Sequence, residues 1–106
     1  MPKFLIMGSY TAEGAKALAK EGGSERKSAV QKAVGALGGK VEAFYFAFGE
    51  EDVYVIIDVP DTASGAALSF AVNASGMVKL RSTMLMTPEE IDAACKKSVS
   101  YRAPGR

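Results

Sequence analysis

Histidine is absent from this sequence, which removes the side chain most often used as a general base near neutral pH. The absence excludes Ser-His-Asp and Cys-His nucleophile systems, histidine-based zinc or iron sites, and haem held by a proximal histidine. Any chemistry must rest on carboxylates, tyrosines, lysines, arginines or a bound cofactor. The one cysteine, Cys95, cannot form an internal disulfide, so a reducing, cytoplasmic setting is expected. Neither sign of charge dominates, since 13 Lys and Arg face 12 Asp and Glu for a net charge of +1. Proteins that neutralise phosphates carry a basic excess, so no nucleic-acid partner is expected. No segment approaches the roughly 20 apolar residues of a membrane span. The start, MPKFLIMGSY, has neither the basic opening nor the cleavage site of a secretory leader. No membrane partner, metal or cofactor is expected.

What is present fits one domain: 106 residues, 48% hydrophobic and 24% charged, the balance of a globular chain with one core. Its organising stretch runs from Val41 to Val59. Two strands fold back on each other around Gly49-Glu50-Glu51-Asp52. A strand buried on one face alternates apolar and polar residues, whereas both of these are apolar on both faces. In the first, Phe44, Phe46 and Phe48 form one register and Val41, Ala43, Tyr45 and Ala47 the other. In the second, Val53, Val55, Ile57 and Val59 alternate against Asp52, Tyr54, Ile56 and Asp58.

Upstream, Lys3 to Tyr10 reads as a first strand, and Thr11 as the N-cap of a helix. Helical sequence then runs from Ala12 to about Leu37. Gly22-Gly23-Ser24 breaks it, with Ser24 able to cap the second half. Gly38-Gly39 ends that half. Downstream, Pro60 stops the second central strand and Asp61 caps a helix. Its predicted buried face is Ala63, Ala66, Ala67, Phe70, Ala71 and Ala74, with Gly65 a small helix penalty. Met77 to Met86 reads as a fourth strand, with Lys79, Arg81 and Thr83 on its polar register. Thr87-Pro88-Glu89-Glu90 is a capping box with proline at the first helical position, and Met86 and Ile91 are spaced for a hydrophobic staple. The short helix that follows places Ile91, Ala94 and Cys95 on one face, where Cys95 reads as a small buried hydrophobe. A domain is expected over residues 1–97 and a basic tail over 98–106.

The order is β-α-β-β-α-β with a C-terminal helix, the ferredoxin-like α+β arrangement of one antiparallel sheet with helices on one face. The other face is also apolar. It predicts a second copy packed sheet to sheet, a homodimer or higher homo-oligomer.

The chain resembles GYD-domain proteins from Met1 to about Ala94, most specifically at Gly8-Ser9-Tyr10-Thr11, Glu21-Gly22-Gly23-Ser24, Phe48-Gly49 through Asp52, and Thr87-Pro88-Glu89-Glu90. Of the glycine and Tyr-Asp that name the family, Gly49 and Asp52 fit, while Glu51 stands at the tyrosine position. The resemblance implies a small bacterial protein of the dimeric α+β barrel group. That group holds cofactor-independent monooxygenases, muconolactone-type isomerases, haem enzymes and stress-response proteins, so membership alone does not fix a reaction.

Candidate catalytic groups are Asp52, Tyr54 and Asp58 on one register, with Lys79, Arg81 and Thr83 able to point the same way from the fourth strand: a carboxylate, phenol and cation that could handle a proton on an acidic carbon or phenol. Against this, Asp52 reads as a turn residue and Asp58 as a strand-end charge. Candidate ligand contacts are Ser9 and Tyr10, then Gly22, Gly23 and Arg26 at the helix break, where unpaired N–H groups attract anions, and Tyr45 and Arg81 on the sheet. The Phe44-Tyr45-Phe46-Phe48 aromatics parallel the base-stacking residues of RNA-recognition sheets, but core or dimer packing accounts for them better. The leading expectation is a binder of a small apolar or aromatic molecule. The alternatives are a monooxygenase- or isomerase-like enzyme and a self-associating structural or regulatory module.

Overall fold

Eight elements make up the computed structural model, which describes residues 1–106. They are β1 (Lys3–Tyr10), α1 (Ala12–Glu21), α2 (Gly23–Ala36), β2 (Lys40–Phe46), β3 (Val53–Asp58), α3 (Thr62–Ala74), β4 (Val78–Leu85) and α4 (Pro88–Cys95). The strands form one sheet in the order β2-β3-β1-β4, and every neighbouring pair is antiparallel. This is the ferredoxin-like α+β architecture expected from the element order.

Register sorts the side chains into two faces, because residues two apart on a strand share a face. Phe4, Ile6 and Gly8 pair with Ile57, Val55 and Val53, and with Met84, Ser82 and Leu80 on the other side. This face carries the core, where Ile6, Val53, Val55, Ile57 and Val59 meet Val34 of α2 and Leu68 of α3. On the opposite face lie Leu5 and Met7, opposite Ile56 and Tyr54 and opposite Thr83 and Arg81. None of α1, α2 or α3 covers it.

Strand β2 departs from simple alternation. Its register against β3 shifts between Val41 and Ala43, so a bulge moves Val41 onto the core face with Phe44 and Phe46. Ala43 and Tyr45 keep the other face, pairing with Ile56 and Tyr54. Val41 therefore does not share the Tyr45 register read from the sequence; one inserted residue reverses the side of everything before it. Phe48 lies beyond the strand, fully exposed.

Helix α3 also turns differently from its alanine pattern. Gly65 and Leu68 are its buried residues, while Phe70 is 76% exposed. Phe4 explains the rotation: a Cβ on Gly65 would sit 2.9 Å from its ring. The glycine admits an aromatic ring beneath the helix, a use that outweighs its helix penalty. Asp61 caps α3 as expected, accepting from the Ser64 N–H at 2.8 Å.

Helix α1 is pinned at its start to the turn before β4. The Thr11 N–H donates to the Met77 carbonyl at 3.0 Å, and the Thr11 side chain caps the helix by accepting from the Gly14 N–H. At the other end of the chain, Thr87 and Glu90 form the full capping box of α4. Every residue of α4 is exposed, Ile91 and Cys95 included. Cys95 is thus a surface thiol rather than a buried hydrophobe, because α4 projects instead of packing. The radius of gyration, 16.9 Å, exceeds the ~13 Å of a compact domain this long. Residues 98–106 contain no helix or strand.

Candidate ligand-binding site

Helices α1 and α2 pack toward the β1 and β2 side of the core face, and α3 toward β4. Between them a cleft of about 380 Å³ opens down to the sheet. Its floor includes Ile6, Phe44, Val55 and Leu80. Ala17, Ala29, Ala33 and Ala71 line its walls, and a methyl on each leaves the gap that a larger side chain would fill. Seventeen of the 21 lining residues are hydrophobic. Ligand sites commonly have this make-up, an apolar chamber with a few polar groups.

Glu21 and Arg26 are among the exceptions, and Tyr10 adds a phenol hydroxyl to the otherwise apolar lining. Arg26 lies in the first turn of α2, directly after the break that the glycines create. Gly22 has φ +91°, a left-handed conformation that favours glycine, and its N–H closes α1 by donating to the Leu18 carbonyl. Helix α2 starts at Gly23 without a side-chain cap, so Ser24 is not the N-cap: it lies already inside the helix. Gly23 faces Phe46, whose ring would stand 2.9 Å from an added Cβ.

Glu21 and Arg26 approach across this break, with Nε 3.5 Å from Oε2. That is an ion pair without a hydrogen bond. Arg26 Nε is shielded from solvent and donates to no acceptor, a condition that costs about 1–3 kcal/mol for a buried polar group. Burial pushes the Tyr10 phenol up from its ordinary value. The Arg26 charge opposes that shift, while Glu21 and Asp52 add to it. The phenol is therefore protonated at neutral pH, a hydroxyl able to donate.

A second polar group lies on the opposite face. Glu51, only 6% exposed, accepts from Ser9 Oγ at 2.9 Å and from Arg81 Nε at 3.0 Å. The Arg81 guanidinium and then the Ser9 hydroxyl hold the Glu51 carboxyl below the usual carboxylate range. Arg81, Met7, Tyr54 and Tyr45 follow one another across β4, β1, β3 and β2 in one row of the sheet.

Residues 4–95 match the family model of the GYD domain. The chain belongs to the GYD domain family. No curated protein and no solved structure matches it.

The GYD match spans both polar groups, which divide the candidate residues between two faces. Tyr10, Arg26, Gly22 and Gly23 gather at or beside the cleft; Ser9, Tyr45 and Arg81 lie on the uncovered face. Asp52, Tyr54 and Asp58 follow β3 along its length, and Tyr54 and Asp58 are separated by about 13 Å at strand rise. The Asp52 carboxylate accepts from the Tyr10 backbone N–H at 2.8 Å. Asp58 accepts from Lys3 at 2.8 Å, and Lys3 also reaches Glu42. Hydrogen bonds to Asp58 and then Glu42 raise the Lys3 ammonium above its usual range. In this GYD domain Asp52, just before β3, and Asp58, at its end, thus each have a partner of their own, and the three groups do not converge.

Sequence reasoning missed Glu21 and Glu51. Glu21 carried a signal, since it directly precedes the glycine pair and faces Arg26 across it. Glu51 lies in a loop, where no periodicity marks a residue as buried.

Proposed function

We propose that this GYD domain binds a small apolar or aromatic molecule in the cleft between its helices and the sheet. The observation that carries the reading is the cleft itself: an apolar chamber of about 380 Å³ within a domain that buries only 12 residues. Space of that size forfeits dispersion contacts, and an apolar guest restores them. The test is titration of the full chain with N-phenylnaphthylamine, a neutral dye that brightens in apolar surroundings. Saturable binding that Ala71→Phe abolishes and Tyr45→Ser leaves intact supports the reading. Binding insensitive to Ala71→Phe, or no binding, overturns it.

A second reading concerns assembly. Leu5, Met7 and Ile56 are only half-buried, and Tyr45 is 72% exposed, on a face over which α1, α2 and α3 do not lie. Contiguous apolar surface of this kind marks an interaction site. A second copy presenting the same face would cover it and produce a dimeric α+β barrel. Native mass spectrometry at micromolar concentration tests this. A dimer is expected; a monomer at all concentrations rules the barrel out.

A further inference from the structure

The cleft is apolar along most of its wall, yet one corner is built from donors that lack acceptors. Arg26 offers five N–H groups in a planar fork. None donates to an acceptor elsewhere in the chain, and Nε is also hidden from water. The Glu21 carboxylate stands near, but at 3.5 Å it leaves that hydrogen bond unmade. The hydroxyl of Tyr10, which also lines the cleft within reach of the Arg26 charge, has no partner within the protein either. The corner thus lacks a fixed acceptor with two oxygens, which is what an arginine fork receives best.

We propose that the molecule bound in this cleft is an amphipathic carboxylic acid, its aromatic or aliphatic body in the apolar chamber and its carboxylate on Arg26, with the Tyr10 hydroxyl donating a further bond. This rests on the cleft being a binding site and goes beyond it by fixing the polar end of the ligand. A neutral carbonyl could satisfy Nε alone. A carboxylate takes two parallel N–H bonds and also meets the guanidinium charge, the stronger arrangement. An amine is disfavoured, since its ammonium would approach Arg26. Glu21 is the group an incoming acid displaces. It sits at the last position of α1, beside the left-handed Gly22, with its side chain already 34% exposed, so it can turn to water.

Phenylbutyrate and phenylbutanol test the inference, because they share one apolar body and differ in carrying a carboxylate or a hydroxyl. Both are titrated into the full chain and followed by amide NMR shifts of residues lining the cleft. The acid should bind about tenfold more tightly than the alcohol, as expected for a charge-assisted bond over a neutral one. Arg26→Met should remove that advantage, weakening the acid by about tenfold more than the alcohol, which loses only a neutral hydrogen bond. Glu21→Gln should tighten the acid alone. Arg26 makes no side-chain hydrogen bond in the fold, so its replacement leaves the domain intact, and an unchanged amide spectrum away from the cleft checks this. Equal affinities for acid and alcohol, or an acid preference that survives Arg26→Met, overturn the carboxylate proposal while the cleft remains a binding site. Failure of both compounds to bind removes the cleft reading and this inference together.

Discussion

The Glu51 carboxylate receives Arg81 on one oxygen and the Ser9 hydroxyl on the other. Nε and Nη2 of Arg81 both donate to Oε1, and Ser9 Oγ donates to Oε2. This ties the loop between β2 and β3 to β1 and β4, two strands with which β2 itself does not pair. The same loop is fixed from its other side by Asp52, whose N–H donates to the Gly8 carbonyl at 2.8 Å.

Acid should therefore loosen this loop. The Glu51 carboxyl is held below the usual range in the fold by Arg81 and Ser9. Its contribution is fully present above the unfolded value of about 4.3 and is lost as pH falls from there through the lower folded value. Thermal melting across the acid range should show a fall in stability that Glu51→Gln makes shallower. At neutral pH, Glu51→Gln should melt below wild type by more than Glu50→Gln does. Equal melting of the two variants would mean that the Arg81 contact contributes nothing.

Gly14 provides a steric prediction. It is buried, and a Cβ there would overlap the Met77 carbonyl, which is backbone and cannot rotate aside. Gly14→Ala gains helix propensity but must push α1 off the turn before β4. A net loss of about 1–3 kcal/mol is expected, typical of overpacking. Gly35→Ala is the control, since nothing lies within 4 Å of its added Cβ, and it should stabilise α2. Urea denaturation of both variants measures the contrast.

These cases mark where the sequence was legible and where it was not. Element order, all four strands and the Thr11, Asp61 and Thr87 caps follow from local chemistry: short apolar runs, glycine and proline breaks, and hydroxyl or carboxylate groups ahead of helices. Which face a residue takes was harder. Alanine-rich α3 offers several stripes of similar apolarity, and Phe4, distant in sequence, selects the one through Gly65 and Leu68. Val41 changed sides because a bulge is a property of pairing between strands, not of one strand. Cys95 reads as core only if α4 packs, and the periodicity of α4 says nothing about what it packs against. Of the cleft, Tyr10 and Arg26 were legible as candidates, but the space between them and α3 depends on helix placement. A run of alanines does not reveal it.

Tyr10 should titrate above the ordinary tyrosine value. Burial raises its phenol, with Arg26 pulling the other way. Arg26→Met should raise it further, and Glu21→Gln should lower it, since that carboxylate adds to the shift. Tyrosinate difference absorbance of wild type and the two variants, each compared with its Tyr10→Phe partner, isolates the one phenol. The fold favours neutral Tyr10, so its contribution to stability is present below the unfolded value of about 10 and is lost as pH rises above it. An unshifted Tyr10 in both variants would show that neither charge reaches it.

Helix α4 should melt apart from the rest of the domain. Its capping box is complete, with the Glu90 N–H donating to Thr87 Oγ1 at 3.1 Å and the Thr87 N–H to Glu90 Oε1 at 2.9 Å. Thr87→Ala should cost the helix about 1 kcal/mol. An eight-residue helix is marginal in water without tertiary support, and every residue of this one is exposed. Faster amide exchange is therefore expected across Pro88–Cys95, with the melting temperature of the sheet unchanged. The two readouts separate two situations that a single chain makes look alike. If the exposed Ile91 stays in water, only the local exchange responds to Thr87→Ala. If α4 instead rests on a neighbouring copy, the variant also lowers the global melting temperature, and that loss shrinks as protein concentration falls, because on dilution neither protein keeps the stability that association adds by mass action.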